Sequence, residues 1–352
     1  MTMKQLQTHT VAKATGMYSR HSEAAMLNLN NGDILMIWQR FENSPFGSND
    51  YSPSTLVSSV SRDKGYTWEE PRVLVTPEPG DTNVYSPNLI RLKDGRILFL
   101  YMRYVHLAAG KPRVTAAGIR ISEDEGKTFS PVRYVWERGS YSFSNSCARR
   151  LSSDRILIPA GLSDGVGRKE NFIQQSLFSD DDGETWMFGS GCMRADKRGC
   201  MEPFVGELSD GRLLAVMRTQ LGAVYKSYSF DDGNTWTTPV SSGLEAPESC
   251  PYLVNIPGSD QLLVIWNHAP YDPGFASHFG KRSPLTAAVT RDGDCFKLLG
   301  NLEEDPNRAF TNPAVLFLPD GECLVTYWTS PYNEKWRFRG PIDLKLARFY
   351  LE

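Results

Sequence analysis

The sequence lacks any apolar run as long as a membrane span, and residues 1–15 lack the apolar stretch of a secretory signal. We therefore expect no membrane partner and, for the chain as given, a cytoplasmic location; a longer native N-terminus would leave a secreted or periplasmic location open. The net charge of −3 and the pI near 6.0 argue against a surface that binds nucleic acid.

Metal-binding patterns are also missing. The six cysteines show no CxxC spacing, so we expect neither a zinc site nor a disulfide framework. Four of the five histidines are scattered at no metal-ligand spacing, so we predict no metal and no cofactor. These histidines are His21, His106, His268 and His278.

What the sequence does contain is one short motif in four full copies, Ser-x-Asp-x-Gly-x-Thr followed by Trp or Phe. The copies begin at Ser61, Ser122, Ser179 and Ser229, and a shortened fifth copy occupies residues 290–296. The motif indicates a hairpin turn in which Asp bonds the backbone, Gly takes the positive φ and the aromatic ring packs on the sheet. Recurrence every 50 to 61 residues indicates a repeat fold.

A second pattern, strand, tight turn and strand, gives the number of repeats. It occurs six times, at residues 29–35, 92–98, 151–157, 208–214, 256–262 and 318–324. Each repeat also has an outer pair of strands joined by the Asp-containing turn, which makes four strands per repeat. The sequence therefore predicts an all-β fold, a six-bladed β-propeller that forms one domain over residues 1–352, with the Asp-containing turns on the outer hairpins.

The innermost strands of a propeller begin at the mouth of its central channel. Counting back nine positions from each inner turn gives a set that is polar except for one proline: Glu23, Ser86, Asn145, Glu202, Pro251 and Asn312. A ring of polar groups at this place is the expected ligand site. Any one of these residues alone is equally compatible with hydration of the channel.

The repeats and the mouth residues together resemble the sialidase (neuraminidase) superfamily, in particular its branch with Asp-box, or BNR, repeats. The resemblance covers nearly the whole chain. Its most specific stretch is residues 201–218, in which a glutamate, a tight turn and a strand ending in arginine come in the order and at the spacing found in sialidases. This implies a carbohydrate substrate that carries a carboxylate.

The resemblance also implies a cluster of three arginines around that carboxylate. Arg218 and Arg282 resemble the second and third, and Arg20 resembles the first, although it lies about two residues further from its hairpin than in the family pattern. A guanidinium group offers paired donors that match a carboxylate, which lysine does not. A single arginine in such a place is equally compatible with a salt bridge between blades.

The acid that protonates the leaving oxygen is implied to be Asp50, because sialidases carry this aspartate on the corresponding loop, here residues 43–53. Closure of such a loop would exclude water and raise the pKa of the acid. An Asn-Asp pair in a loop rich in Gly, Pro and Ser is also ordinary turn chemistry.

The nucleophile is where this sequence departs from the family. Glu202 is implied to polarise a tyrosine expected within residues 310–315, but no tyrosine is there and Asn312 occupies the mouth position. An amide does not attack an anomeric carbon. One alternative is a tyrosine from another blade, namely Tyr85, Tyr225 or Tyr327.

The other alternative is an inverting reaction, in which Glu202, Glu23 or Glu248 activates water and a second carboxyl group acts as the acid. Glu23, Tyr85, Asn145 and Asn312 are further candidates for contacts with the substrate. Trp38, Trp266 and Phe310 are candidates for an apolar wall, although such strand aromatics more often pack between blades.

The function that the resemblance implies is an exo-acting glycoside hydrolase that releases a carboxylate-bearing terminal sugar, sialic acid by default. A propeller that binds a sugar acid without hydrolysis remains an alternative. A lyase that acts on uronic acids is a third possibility, for which the sequence shows no evident base.

Overall fold

The computed structural model describes residues 1–44, 49–106, 111–164, 171–275, 279–332 and 340–352. These residues form strands, turns and loops and no helix, so none of their segments is a helix that could cross a membrane. His278 and part of the loop at 43–53, residues 45–48, lie outside the described residues.

The strands come in consecutive groups, each of which we call a blade. The chain begins with β1 (Met3–Ala12). Blade 1 contains β2 (Tyr18–Asn28), β3 (Ile34–Glu42), β4 (Ser54–Ser61) and β5 (Arg72–Val75). Blade 2 contains β6 (Asn83–Arg91), β7 (Ile97–His106), β8 (Val114–Ser122) and β9 (Arg133–Gly139). Blade 3 contains β10 (Tyr141–Ser142), β11 (Arg149–Arg150), β12 (Ile156–Asp164), β13 (Asn171–Ser179) and β14 (Met187–Phe188).

The second half of the chain repeats this order. Blade 4 contains β15 (Met201–Glu207), β16 (Leu213–Arg218), β17 (Ala223–Ser229) and β18 (Val240–Glu245). Blade 5 contains β19 (Tyr252–Asn255), β20 (Leu262–Asn267), β21 (Leu285–Thr290) and β22 (Lys297–Glu303). Blade 6 contains β23 (Arg308–Phe317), β24 (Glu322–Pro331) and β25 (Asp343–Leu351).

The prediction of a six-bladed β-propeller is confirmed, since the described strands form six antiparallel sheets. In blades 1, 2, 4 and 5 the sheet order follows the chain order, whereas blade 3 divides its innermost strand into β10 and β11, both paired with β12. Blade 6 receives β1 as its outermost strand, paired with β25. The first strand of the chain therefore closes the ring against the last.

The repeated turns join the third and fourth strands of their blades. In the first copy, Asp63 accepts hydrogen bonds from the backbone of Thr67 at 2.8 Å and from its hydroxyl at 2.6 Å. The hydroxyl oxygen of Ser61 accepts a bond from the backbone of Gly65 at 2.7 Å, and that glycine has a φ of 87°. The same bonds recur in the other three full copies.

The core lies between neighbouring blades and is built from the inner strands. Trp38, Trp266 and Phe310 are each 1% exposed, so they pack in this core and do not form a wall against a sugar. The indole of Trp266 donates to the backbone of Glu245 at 3.1 Å, which satisfies its one polar atom inside the core.

Candidate functional site

A cavity of about 260 Å³ opens at one end of the propeller axis. Seven of the predicted site residues line it: Glu23, Asp50, Tyr85, Asn145, Glu202, Arg218 and Asn312. Arg20, Arg282 and Glu248 lie directly behind this wall, where they contact lining residues or one another. The structure thus brings all ten residues to one end of the channel.

The inner strands present their polar residues through a local break in the strand. Five non-glycine residues near the mouth have φ between 48° and 53°, and each belongs to a different blade: Glu23, Ser86, Ser146, Glu202 and Asn312. Four of these residues lie in β-bulges, where the pairing shifts by one residue or more. Such backbone conformations cost about 1–3 kcal/mol each and cluster at functional sites.

Blades 3 and 5 differ from this pattern. In blade 3 the left-handed residue is Ser146, one position after the counted Asn145, because the inner strand is broken there. Asn145 instead donates its amide to the backbone oxygen of Ala24 in blade 1, at 2.8 Å. In blade 5 the proline at position 251 precedes β19 and adopts no positive φ.

Arg20 is held between two carboxyl groups of blade 1. Its Nη1 donates to Oδ1 of Asp50 at 2.7 Å, and its Nη2 lies 3.8 Å from Oε1 of Glu23. Its Nε donates to the hydroxyl of Ser22 at 2.9 Å, and its Cζ lies 4.3 Å from the ring centroid of Phe41. The strand pairing shifts on both sides of Arg20, between Tyr18 and Arg20 and between Ser22 and Ala24.

Arg218 is held in the same way in blade 4. Its Nη1 donates to Oε2 of Glu202 at 2.9 Å, and its Nη2 donates to Oε1 of Glu248 at 2.8 Å. Burial opposes the charge of Arg218, but these two carboxylates outweigh it and raise the pKa of the guanidinium group. Arg218 is therefore a fixed positive charge at the cavity wall.

Glu248 differs from the expectation that it acts directly on a substrate. It is 0% exposed and is not part of the described cavity wall. Its carboxylate accepts hydrogen bonds from Arg198, Arg218 and Gln220. Burial opposes its ionisation, yet Arg218 and Arg198 lower the pKa of Glu248. A buried, ionised and fully bonded carboxylate holds arginines in place and is not available to activate water.

Arg282 lies beside this group and is 3% exposed. Its Nη1 donates to the hydroxyl of Thr311 at 3.3 Å, and its Nη2 donates to the backbone oxygen of Glu248 at 3.2 Å. Burial and the neighbouring charge of Arg218 lower the pKa of Arg282 to about 10. An anion bound between these two arginines would relieve their repulsion.

The pKa shifts of Glu23 and Asp50 have opposite directions. Burial raises the pKa of Glu23 to about 7, although Arg20 opposes the shift, and the charges of Asp50 and Glu202 contribute to it. Around Asp50 the cavity surroundings disfavour ionisation, but Arg20, with contributions from Arg113 and Arg282, outweighs them and lowers the pKa. The raised pKa that loop closure on a substrate would give Asp50 stays a prediction, since here Arg20 pairs with Asp50 directly and holds its pKa low.

The alternative tyrosines separate into two groups. Tyr85 lines the cavity, where its ring stacks on that of Tyr104 with centroids 4.0 Å apart, and burial raises its pKa well above the usual value. Tyr327 donates its hydroxyl to Glu303 at 2.6 Å, and Tyr225 packs against an outer core cluster. Neither of these two lies in the described cavity wall, so of the three only Tyr85 could face a ligand.

Two arginines at the site were not predicted from the sequence. Arg113 and Arg198 line the cavity, and their Cζ atoms lie 5.1 and 5.4 Å from the ring centroid of Phe172. Arg113 precedes β8 and Arg198 lies between β14 and β15, so neither belongs to an inner strand. A search restricted to inner strands cannot find them, although an arginine on each of two connecting segments was a visible signal.

The charges of the site do not cancel. Five guanidinium groups, those of Arg20, Arg113, Arg198, Arg218 and Arg282, face four carboxyl groups, those of Glu23, Asp50, Glu202 and Glu248. The balance is one positive charge when every group is ionised and two when Glu23 is protonated. The cavity therefore favours an anionic ligand.

Comparison with known proteins gives a family and a fold. The model of the BNR repeat-like domain matches residues 32–325. A Dyadobacter fermentans protein of unknown function is 20% identical, with a TM-score of 0.76 over 98% of this chain and 99% of that chain. No curated protein matches.

Two solved structures of sialic-acid enzymes are also similar. The leech intramolecular trans-sialidase, in complex with 2,7-anhydro-Neu5Ac, is 14% identical, with a TM-score of 0.70 over 96% of this chain and 69% of that chain. The Trypanosoma rangeli sialidase, in complex with sialic acid, is 15% identical, with a TM-score of 0.71 over 99% of this chain and 59% of that chain. Likeness at such identities shows the fold alone, since one fold carries many functions.

Proposed function

Because this chain belongs to the BNR repeat-like domain family, within the sialidase superfamily, we propose that it is a glycoside hydrolase that releases a terminal sugar bearing a carboxylate. The observation that carries the proposal is the presence, in one cavity, of a protonatable Glu23, a second carboxyl group at Glu202 and an excess of arginines. Hydrolysis with inversion needs two carboxyl groups, one as acid and one as base.

In this proposal Glu23 is the general acid. With a pKa of about 7 it still holds its proton in a large fraction of molecules near neutral pH, so it can protonate the glycosidic oxygen as the bond to the anomeric carbon breaks. Glu202 accepts a proton from the attacking water as the new carbon–oxygen bond forms. The route needs no tyrosine and gives inversion if the two carboxyl groups flank the sugar with room for a water molecule.

The arginines would bind the sugar carboxylate. Arg20 and Arg218 each present a guanidinium group at or directly behind the wall, and Arg282 adds a buried charge next to Arg218. Bidentate guanidinium–carboxylate bonds are strong and directional, so they would fix the orientation of the sugar ring. This leaves sialic acid as the first substrate to test, with uronic acids as the second.

One observation favours a different function, the binding of a sugar acid without hydrolysis. Asn312 lines the cavity where the resemblance calls for a nucleophilic tyrosine, and its amide accepts a bond from the hydroxyl of Thr311 at 3.3 Å. An amide can hold a sugar hydroxyl but cannot form a glycosyl intermediate. A binding protein would keep the arginines and need no acid.

The test is a turnover assay on a panel of fluorogenic glycosides of sialic acid and uronic acids. We expect release of at least one sugar acid, with the inverted anomer appearing first by NMR. Glu23→Gln and Glu202→Gln should each lower turnover at least a hundredfold, since general acid–base catalysis contributes about 10²–10⁴-fold. Glu69→Gln, at an exposed pair with Arg62, is the matched control and should retain turnover. Binding of a sugar acid without turnover would establish the second function, and neither binding nor turnover would overturn both.

A further inference from the structure

The cavity has a second group of cationic side chains beside the predicted arginines. Phe172 of β13 is 7% exposed, and the Cζ atoms of Arg113 and Arg198 lie within 6 Å of its ring centroid. All three residues line the cavity, on the side of blades 2 and 3. We call these three residues the Phe172 wall.

The Phe172 wall is held in a fixed register by the backbone. The backbone of Phe172 donates to the oxygen of Arg198 at 2.9 Å and accepts from the nitrogen of Cys200 at 3.0 Å. Gly199 has a φ of 76°, and a Cβ atom there would lie 2.3 Å from the backbone oxygen of Phe172. The side chain of Gln174 donates to the oxygen of Cys200 at 2.8 Å. The segment that carries Arg198 is therefore clamped against β13.

Buried ion pairs connect the Phe172 wall to the rest of the site. Arg198 and Arg218 both donate to Oε1 of Glu248, and Arg218 also bonds Glu202. The result is a row of alternating charges, Arg198, Glu248, Arg218 and Glu202. This row fixes the guanidinium groups of Arg198 and Arg218 on one carboxylate oxygen of Glu248, so Arg198 extends the cationic lining of the cavity from Arg218 to the Phe172 wall.

The charge balance favours more than one acidic group on the ligand. A single sugar carboxylate neutralises one positive charge, whereas the site carries two when Glu23 is protonated, which is the state that the proposed acid needs. The arginines around Asp50 and Arg218 account for the first acidic group. The charge that remains matches a second one.

We propose that the Phe172 wall is a subsite for a second acidic group, a carboxylate or a sulfate, on the sugar next to the bond that is cleaved. The inference rests on the proposed function, because it assigns the leaving-group side of that same site. The preferred substrate class is then an acidic sugar linked to another acidic sugar, and not one linked to a neutral sugar.

Three matched substrates test the proposal. Each carries the same terminal sugar acid, linked to a neutral hexose, to a uronic acid or to a sulfated hexose. The quantity measured is kcat/KM for each acidic substrate divided by kcat/KM for the neutral one. We expect a ratio of about ten or more for at least one of the two acidic substrates. The substrate that gives this ratio identifies the preferred acidic group as a carboxylate or a sulfate.

The variants Arg113→Gln and Arg198→Gln should each lower this ratio about tenfold, which corresponds to a free-energy difference of about 1.4 kcal/mol. Arg218→Lys should weaken all three substrates alike and keep the ratio. The matched control is Arg155→Gln, because Arg155 also stacks on a phenylalanine, Phe178 at 3.8 Å, but lies outside the described cavity wall. Its ratio should equal that of the wild type.

Two outcomes separate the inference from the proposed function. The inference fails and the proposed function stands if turnover occurs with a ratio near one for both acidic substrates. The same conclusion follows if neither Arg113→Gln nor Arg198→Gln changes the ratio. If no substrate turns over, the function fails and calorimetry decides the inference. If the protein binds an acidic disaccharide more tightly than the neutral one, and Arg113→Gln loses this difference in affinity, the inference is upheld. If the two disaccharides bind equally, or neither binds, the inference is overturned. Arg113 does not contact buried Glu248 in any described bond, so its variant is the one expected to fold normally.

Discussion

Replacing Glu23 by glutamine tests the raised pKa on which the proposed acid depends. Glutamine has the same shape and keeps an oxygen for the backbone and hydroxyl of Ser86, which lie 3.3 and 3.4 Å from the Glu23 carboxylate. It removes only the ability to ionise. The Glu23 side chain is 16% exposed, so the surrounding protein, and not bulk water, determines its charge state.

The magnitude follows from the shift of the pKa. The folded protein holds this proton more tightly than the unfolded chain, because the pKa rises from 4.5 to about 7. The wild type therefore loses unfolding free energy as the pH rises through this window, and at about 1.36 kcal/mol per unit the loss is about 3 kcal/mol. Glu23→Gln escapes this loss, so its stability relative to the wild type should rise by that amount between pH 4.5 and pH 7.

The assay is urea unfolding of both proteins at several pH values across this window. Glu69→Gln serves as the control, since its pair with Arg62 is exposed and its difference from the wild type should stay nearly constant. If the difference in unfolding free energy between Glu23→Gln and the wild type does not change with pH, the reasoning is refuted. It would mean that Glu23 ionises like an ordinary glutamate, and the proposed acid would have to be sought elsewhere.

Three further predictions concern stability and are checked by urea unfolding at pH 7. Glu248→Gln should lower the free energy of unfolding by about 3–5 kcal/mol, because it leaves Arg198 and Arg218 without their shared, fully buried carboxylate. Since the folded pKa of Glu248 is lowered, this contribution is lost as the pH falls below the unfolded value of 4.5 towards and through the folded one. Gly199→Ala should lower the free energy of unfolding by about 2 kcal/mol or more, and Gly211→Ala by only about 1 kcal/mol. Both glycines have a positive φ, but only at Gly199 would the added Cβ atom meet a backbone atom. Equal losses in the two variants would contradict the close approach of Gly199 to Phe172. Asp63→Ala should lower the free energy of unfolding by about 1 kcal/mol, because it removes hydrogen bonds in one outer turn, and it should leave ligand affinity unchanged. A loss of affinity would contradict the position of Asp63 on the outer rim.

The fold was predictable because its signals are local. Turn residues such as Asp63 and Gly65 act within a few positions of the chain, so each repeat marks its own hairpin wherever the blade lies in space. The nine-residue count found Glu23, Glu202 and Asn312 because each lies in a bulge at the same distance from its inner turn. In blade 3 the counted Asn145 also lines the cavity, but the left-handed position falls on Ser146 because the inner strand is broken into two.

The electrostatics of the site were not predictable in the same way. Whether Asp50 or Glu23 holds a proton depends on which of them Arg20 approaches within bonding distance, and that contact joins different strands and loops. Arg198 acts through Glu248, a residue 50 positions away in the chain. Pairings of this kind depend on the closed ring, and no spacing in the sequence records them.

The two anchoring arginines differ in how readily they can exchange a protein carboxylate for that of a ligand. The partner of Arg20 is Asp50, whose side chain is 69% exposed, and ion pairs with an exposed partner contribute little. The partner of Arg218 behind the wall is Glu248, which is 0% exposed, and breaking that pair would leave a buried charge. A ligand carboxylate should therefore displace Asp50 from Arg20 while Arg218 keeps Glu248. Displacement would remove the main cause of the low pKa at Asp50, so ligand binding itself would change which carboxyl groups hold protons.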